Sequence, residues 1–208
     1  MNNIIYILFL LSLISFGQKK SIQNEFEIIT EEIGDLDNDG IDEKVVIYET
    51  NDEKPRRLWI FKNDKGKWIE WIKTRSAVRK STEGGPMGDP FEGIEIKNNI
   101  LSIYFNGGSN WKWAYTDNYK FQNNQFQLIT YSHLNFKTCD TWDSLDFNLV
   151  TGKIILKDGY ENCLEENKKE HIKNTETFYK KDVTITLQNR NTREVKIKSP
   201  KGKIVYLY

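Results

Sequence analysis

The sequence predicts an all-β protein, an antiparallel meander closing into a sandwich or barrel. Aromatic residues make up 13% of the chain and cluster with β-branched residues in short runs broken by Asn, Gly, Asp and Lys. The breaks between these runs carry two-residue hairpin signals, and apolar residues at helical spacing are scarce.

The elements follow in order. Val45-Val46-Ile47-Tyr48 is a β-branched run and the first long strand. Arg57 to Phe61 and Lys67 to Ile72 form a hairpin across Asn63-Asp64-Lys65-Gly66. Gly93 to Lys97 pairs with Ile100 to Phe105 across Asn98-Asn99, and Trp111 to Gln122 with Gln125 to Tyr131 across Asn123-Asn124. Asp146 to Val150 pairs with Lys153 to Lys157 across Thr151-Gly152. Leu164 to Lys173 is the best helical candidate, strongly polar and equally readable as a loop. Val183 to Leu187, Glu194 to Lys198 and Lys203 to Leu207 predict a small C-terminal three-stranded piece. Residues 18–208 read as one β-rich domain. The Lys/Glu/Asn-rich connector near 164–176 marks the weakest boundary, and an alternative division sets off 177–208 as a subdomain.

Residues 3–16 contain an apolar run too short to span a bilayer comfortably, followed by small residues and Gln18-Lys19-Lys20. This predicts a signal peptide over 1–17, export to the periplasm or beyond, and no stable membrane span after cleavage. In an exported chain the two cysteines, Cys139 and Cys163, are expected to be bridged. Thirty basic and thirty acidic side chains balance. No basic patch argues for nucleic acid as a partner.

The strongest chemical signal is Gly34-Asp35-Leu36-Asp37-Asn38-Asp39-Gly40-Ile41-Asp42-Glu43. Calcium takes about six to eight oxygens, and a short loop supplies them when alternate side chains turn inward. Asp35, Asp37 and Asp39 occupy the first, third and fifth loop positions. Gly40 permits the turn that brings the Ile41 carbonyl to the seventh, and Glu43 stands at the ninth. An EF-hand would continue into a helix with a glutamate at the twelfth position, which here is Val46, inside a strand. In that respect Gly34 to Ile47 resembles the calcium loops of FG-GAP and VCBS-type repeats. The resemblance implies calcium as cofactor, held by Asp35, Asp37, Asp39, the Ile41 carbonyl and Glu43. The unit occurs once, so the resemblance does not extend to a propeller. The overall layout is similar to that of short exported Gram-negative envelope proteins linked to surface polysaccharide.

Trp111, Trp113, Tyr115, Tyr119 and Phe121 share one strand parity, opposite an almost wholly polar row. The aromatic face is either the core side or an exposed ladder for sugar rings, and Trp111, Trp113 and Tyr115 are the candidate ligand-binding residues. The loops Glu83 to Gly93 and Gly107 to Asn110 frame a pocket or serve as long β-connections. His133 and His171, the only histidines, stand in no zinc spacing. Asp89, Glu92 and Glu95 are the carboxylates available to a glycosidase-like pair. The expected function is that of a noncatalytic envelope protein binding a surface glycan or another envelope protein. The alternative is a small secreted hydrolase acting on envelope polysaccharide.

Overall fold

The computed structural model describes residues 26–50, 54–163, 169–191 and 195–207. The segment 1–17 expected as a signal peptide lies outside the described residues, as do Leu164 and Glu194. The strands in chain order are β1 (Phe26–Gly34), β2 (Glu43–Thr50), β3 (Arg57–Asp64), β4 (Lys67–Thr74), β5 (Phe91–Lys97), β6 (Ile100–Gly108), β7 (Lys112–Gln122), β8 (Gln125–Phe136), β9 (Thr141–Asn148), β10 (Lys153–Asn162), β11 (Lys169–Tyr179), β12 (Val195–Lys198) and β13 (Ile204–Leu207). They form a four-stranded sheet β1-β2-β3-β4, a seven-stranded sheet β11-β10-β9-β8-β7-β6-β5 and the hairpin β12-β13, every neighbour antiparallel. The two larger sheets stay open, so the meander makes a sandwich and closes no barrel.

Local chemistry fixes the hairpins. Lys65 and Gly66, Asn98 and Asn99, and Asn123 and Asn124 all have left-handed φ, between 52° and 87°. That pair of conformations makes a turn whose twist matches the flanking strands, and Asn tolerates it because its short side chain bonds locally. The fourth hairpin closes differently from expectation. Its last pair is Asn148 with Lys153, the Asn148 carboxamide oxygen caps the turn by accepting from the Thr151 amide, and Val150 lies outside the strand, 69% exposed.

Two further expectations are corrected. The described part of the helical candidate, from Lys169, is strand, because β11 pairs residue by residue with β10 and the segment has no apolar stripe to support a helix. The C-terminal piece has two strands, since Val183 to Leu187 pairs elsewhere. The β8–β9 ladder stops at Thr130 and Asn148, leaving the edge of β8 open at 126–128. There the Leu128 amide donates to the Ile185 carbonyl and the Leu187 amide to the Phe126 carbonyl, both at 2.9 Å. An open edge of unpaired backbone is costly to bury, and this segment satisfies it.

One face of the seven-stranded sheet carries the core. Phe105, Tyr115, His133 and Leu145 lie directly opposite one another across β6 to β9 and are all buried. Phe105, Tyr115 and Leu145 of this row join Val45, Ile47, Leu58 and Ile60 of the four-stranded sheet in one buried cluster, which also takes in Ile185, Leu187, Val195, Ile197 and Leu207. The four-stranded sheet and the C-terminal segment therefore cover the same face of the larger sheet, side by side.

Candidate functional site

The seam between those two covers is a cleft floored by β7. One hollow of about 390 Å³ has Ser76, Arg79, Asp117, Arg190, Asn191 and Leu207 in its walls. A second, of about 270 Å³, is lined by Arg79, Glu83, Trp113, Tyr115, His133 and Asn135. Arg79, Glu83 and Tyr115 belong to both, so the hollows adjoin. The loop after β4 is held to the C-terminal segment by the Asn191 amide donating to the Ser76 carbonyl at 3.0 Å, and the Thr74 hydroxyl to the Leu187 carbonyl at 3.3 Å.

The floor is an aromatic stack tied to fixed charges. The Trp113 and Tyr115 rings stack at 5.7 Å, and Tyr115 lies over Phe105 at 4.6 Å. The Arg79 guanidinium sits 5.7 Å from the Trp113 ring centre and 5.5 Å from that of Tyr115, and its Nε donates to the Tyr115 hydroxyl at 2.7 Å. Burial, with the Asp117 charge beside it, pushes the Tyr115 phenol up to about 12, so it stays protonated and keeps its own O–H as a donor. Arg190 Nε donates to Asp117 Oδ2 at 2.6 Å and its Nη2 to Oδ1 at 3.1 Å, and the Tyr119 hydroxyl also donates to Oδ2. Burial works against the Arg190 charge, but the Asp117 carboxylate more than offsets it and holds the guanidinium above its ordinary value.

The aromatic row of β7 therefore faces the core: Tyr115 and Tyr119 are buried and Phe121 packs against the buried cluster. Trp113 and Tyr115 line the cleft. Trp111 precedes β7, is 53% exposed and is not among the cleft-lining residues. The Trp113 indole lies flat over Gly107, its cross-strand partner; a Cβ there would come within 2.4 Å of the indole and 2.9 Å of the Gly84 carbonyl oxygen. The two glycine loops bind each other by backbone, with the Gly108 amide donating to the Gly84 carbonyl at 2.8 Å, and of the two only Glu83 reaches the cleft wall.

Burial lowers the His133 imidazole below its ordinary value, against a smaller opposing pull from Asp143. The folded state thus prefers neutral His133, and the stability this supplies is full above about pH 6.5 and is lost as pH falls through the lower folded value. The urea midpoint is expected to fall on acidification from pH 7 to 5, and less steeply in His133→Gln. Parallel profiles would count against this. His171 stacks on Tyr160 at 4.6 Å on β11, away from the cleft.

The acidic loop joins β1 to β2. One carboxylate oxygen from each of Asp35, Asp37 and Asp39 lies within 4.8 Å of the others. Asp35 is oriented by the Asn38 and Gly40 amides at 2.6 and 3.0 Å, and Asp39 by the Ile41 amide at 2.8 Å; Asn38 and Gly40 supply the left-handed φ, 65° and 82°, that wraps the chain. Asp37 has a side chain 9% exposed; its Oδ2 pairs with Lys62, while Oδ1 is buried with no donor. Glu43 is outside this trio. It is 1% exposed and accepts the Leu36 amide at 2.8 Å. Burial, with the Asp37 charge added, pushes its carboxyl above the usual range despite that amide. The three clustered aspartates, the orphaned Asp37 oxygen and the wrapped backbone fit a hard, oxygen-seeking cation.

The carboxylates expected to be available for acid–base work lie away from the cleft. Both oxygens of Asp89 accept from Arg56, at 2.8 and 2.5 Å. Burial alone would raise Asp89, but the Arg56 and Phe91 hydrogen bonds and the Arg56 charge hold it below its ordinary value. Glu95 accepts from the Tyr104 hydroxyl at 2.7 Å, and Glu92 faces solvent. None of the three lines the cleft, whose acids are Glu83 and Asp117. Comparison of the chain with protein-family models, curated proteins and solved structures finds no match in any of the three, so the cleft and the loop stand on their geometry.

Proposed function

We propose that the chain is a noncatalytic binding protein of the cell envelope, exported to the periplasm or beyond, that seats part of a surface glycan on Trp113 and Tyr115 and is braced by calcium at the acidic loop. The observation that carries the reading is the cleft. Two adjoining hollows of about 390 and 270 Å³ combine a flat aromatic floor with a few fixed polar groups, Arg79, Glu83, Asn135 and Asn191. A sugar has the matching surface, an apolar C–H face and a rim of hydroxyls. Export is supported by the apolar opening run and by the Cys139–Cys163 disulfide, a bond that persists in oxidising compartments. A noncatalytic role is supported by the engagement of Asp89 and of Asp117 in ion pairs.

Calcium would be held by Asp35, Asp37 and Asp39, with the Ile41 carbonyl and Glu43 as the further ligands that the loop resemblance implies. Its chemistry here is charge neutralisation. Lys62 supplies part of that already through Asp37, so Lys62→Met is expected to tighten calcium binding and Asp37→Asn to weaken it. At 100 times its dissociation constant the ion stabilises the fold by about 2.7 kcal/mol. A melting temperature unmoved by calcium or chelator would rule the ion out. For the cleft, a glycan array probed with and without calcium is expected to give hits that Trp113→Ala loses. An empty array points toward an envelope protein as partner, and hits indifferent to that change place the glycan outside the cleft.

A further inference from the structure

The outer faces of the two larger sheets differ in kind. On the seven-stranded sheet the outer row is polar, with the Ser102 hydroxyl donating to Asn118 Oδ1 at 2.7 Å and Asn118 Nδ2 to the Thr130 hydroxyl at 2.8 Å, as suits a face turned to water. On the four-stranded sheet the row opposite in parity to buried Val45, Ile47, Leu58 and Ile60 is a track of rings. Tyr48 and Trp59 are 4.9 Å apart, Trp59 and Phe61 5.9 Å, and Phe26 stands 6.0 Å from Trp59.

Cations lie over these rings. The Arg57 guanidinium is 4.0 Å from the Phe26 centre, Lys73 Nζ 4.2 Å from Trp59, and Lys44 Nζ 5.0 Å from Trp68. Lys73 is paired with Glu70 at 3.2 Å. Among the described residues Lys44 and Arg57 form no salt bridge, and Arg57 Nε is buried without an acceptor. Lys44 faces Phe61 and Arg57 faces Tyr48 across the β2–β3 ladder, so these two cations, without a salt bridge among the described residues, mark the ends of the track, roughly 13 Å apart at strand rise.

We propose that this face is a second binding surface, for an extended glycan bearing widely spaced carboxylates, whose sugar rings lie along Tyr48, Trp59 and Phe61 and whose carboxylates meet Arg57 and Lys44. The spacing of charge selects this ligand over nucleic acid. Duplex DNA carries about eight phosphates in roughly 13 Å of axis, against the two cations at the ends of this track. Glu31, opposite Val46 on the same face, and Glu70 repel so dense a polyanion. A polymer with one carboxylate every few sugars matches the two ends and leaves its C–H faces for the rings between.

The test is affinity electrophoresis of the full chain through gels containing hyaluronate, whose carboxylates sit only on alternate sugars, neutral dextran or single-stranded DNA. Hyaluronate is expected to retard the protein, and Lys44→Gln with Arg57→Gln to weaken that retardation about tenfold while leaving the circular dichroism spectrum unchanged. Trp59→Phe, which preserves a ring, is expected to retain binding. Trp113→Ala in the cleft is expected to leave hyaluronate binding intact, which separates this surface from the cleft. Equal retardation by dextran, preference for DNA, indifference to the double substitution, or a dimer in sedimentation that buries these rings would each overturn the proposal.

Discussion

Asp117→Asn is expected to lower the unfolding free energy by about 3–5 kcal/mol, measured by urea denaturation at pH 7. The carboxylate is 1% exposed and its partner Arg190 4%, and the pair is joined through two nitrogens. Asn keeps the shape but removes the charge, so Arg190 is left buried and uncompensated. The double variant Asp117→Leu with Arg190→Met is expected to recover most of the loss, because replacing both charges by packed apolar groups removes both desolvation costs. A single substitution costing under about 1 kcal/mol would mean the pair is solvated in solution. Because both residues wall the larger hollow, the double variant is also expected to fold yet lose the cleft's ligand.

Removing the disulfide is expected to cost about 3–4 kcal/mol in Cys139→Ser with Cys163→Ser, since the bridge spans 24 residues of sequence and constrains the unfolded chain. Native contacts reinforce the staple. The Glu161 amide donates to the Asp140 carbonyl at 2.7 Å, and the Cys139 amide to the Glu161 carboxylate at 3.1 Å. Hydrogen exchange at the Glu161 amide is therefore expected to quicken more than at Ile154 in the middle of β10. Uniform quickening across the strand, or an unchanged denaturation midpoint under reductant, would contradict this.

The fold was legible where one or two neighbouring residues settle the geometry. Asn98-Asn99 and Asn123-Asn124 adopt the left-handed pair that places a hairpin, and the alternation of Asp35, Asp37 and Asp39 around Gly40 announces its loop. β1 was hidden because Glu27, Glu31 and Glu32 and an irregularity between Ile28 and Thr30 break its alternation, and β11 because its ladder with β10 outweighs a polar composition. The cleft is the least local feature. Arg79 meets Tyr115 across 36 residues and Arg190 meets Asp117 across 73, separations that no motif spans. One signal was present: Asp117 shares the parity of Trp113, Tyr115 and Tyr119, and a carboxylate on a buried face requires a cation from somewhere.

Trp113 and Gly107 act as a unit. With 2.4 Å between the indole and any added methyl, no side chain can be introduced at 107 while the indole keeps its place. A smaller ring at 113 reshapes the floor by itself, whereas a side chain at 107 would also stand 2.9 Å from the Gly84 carbonyl oxygen, which no exchange at 113 relieves. Libraries randomised at 107 are expected to recover glycine whatever stands at 113, and randomisation of 113 with that glycine kept is the route to altered selectivity.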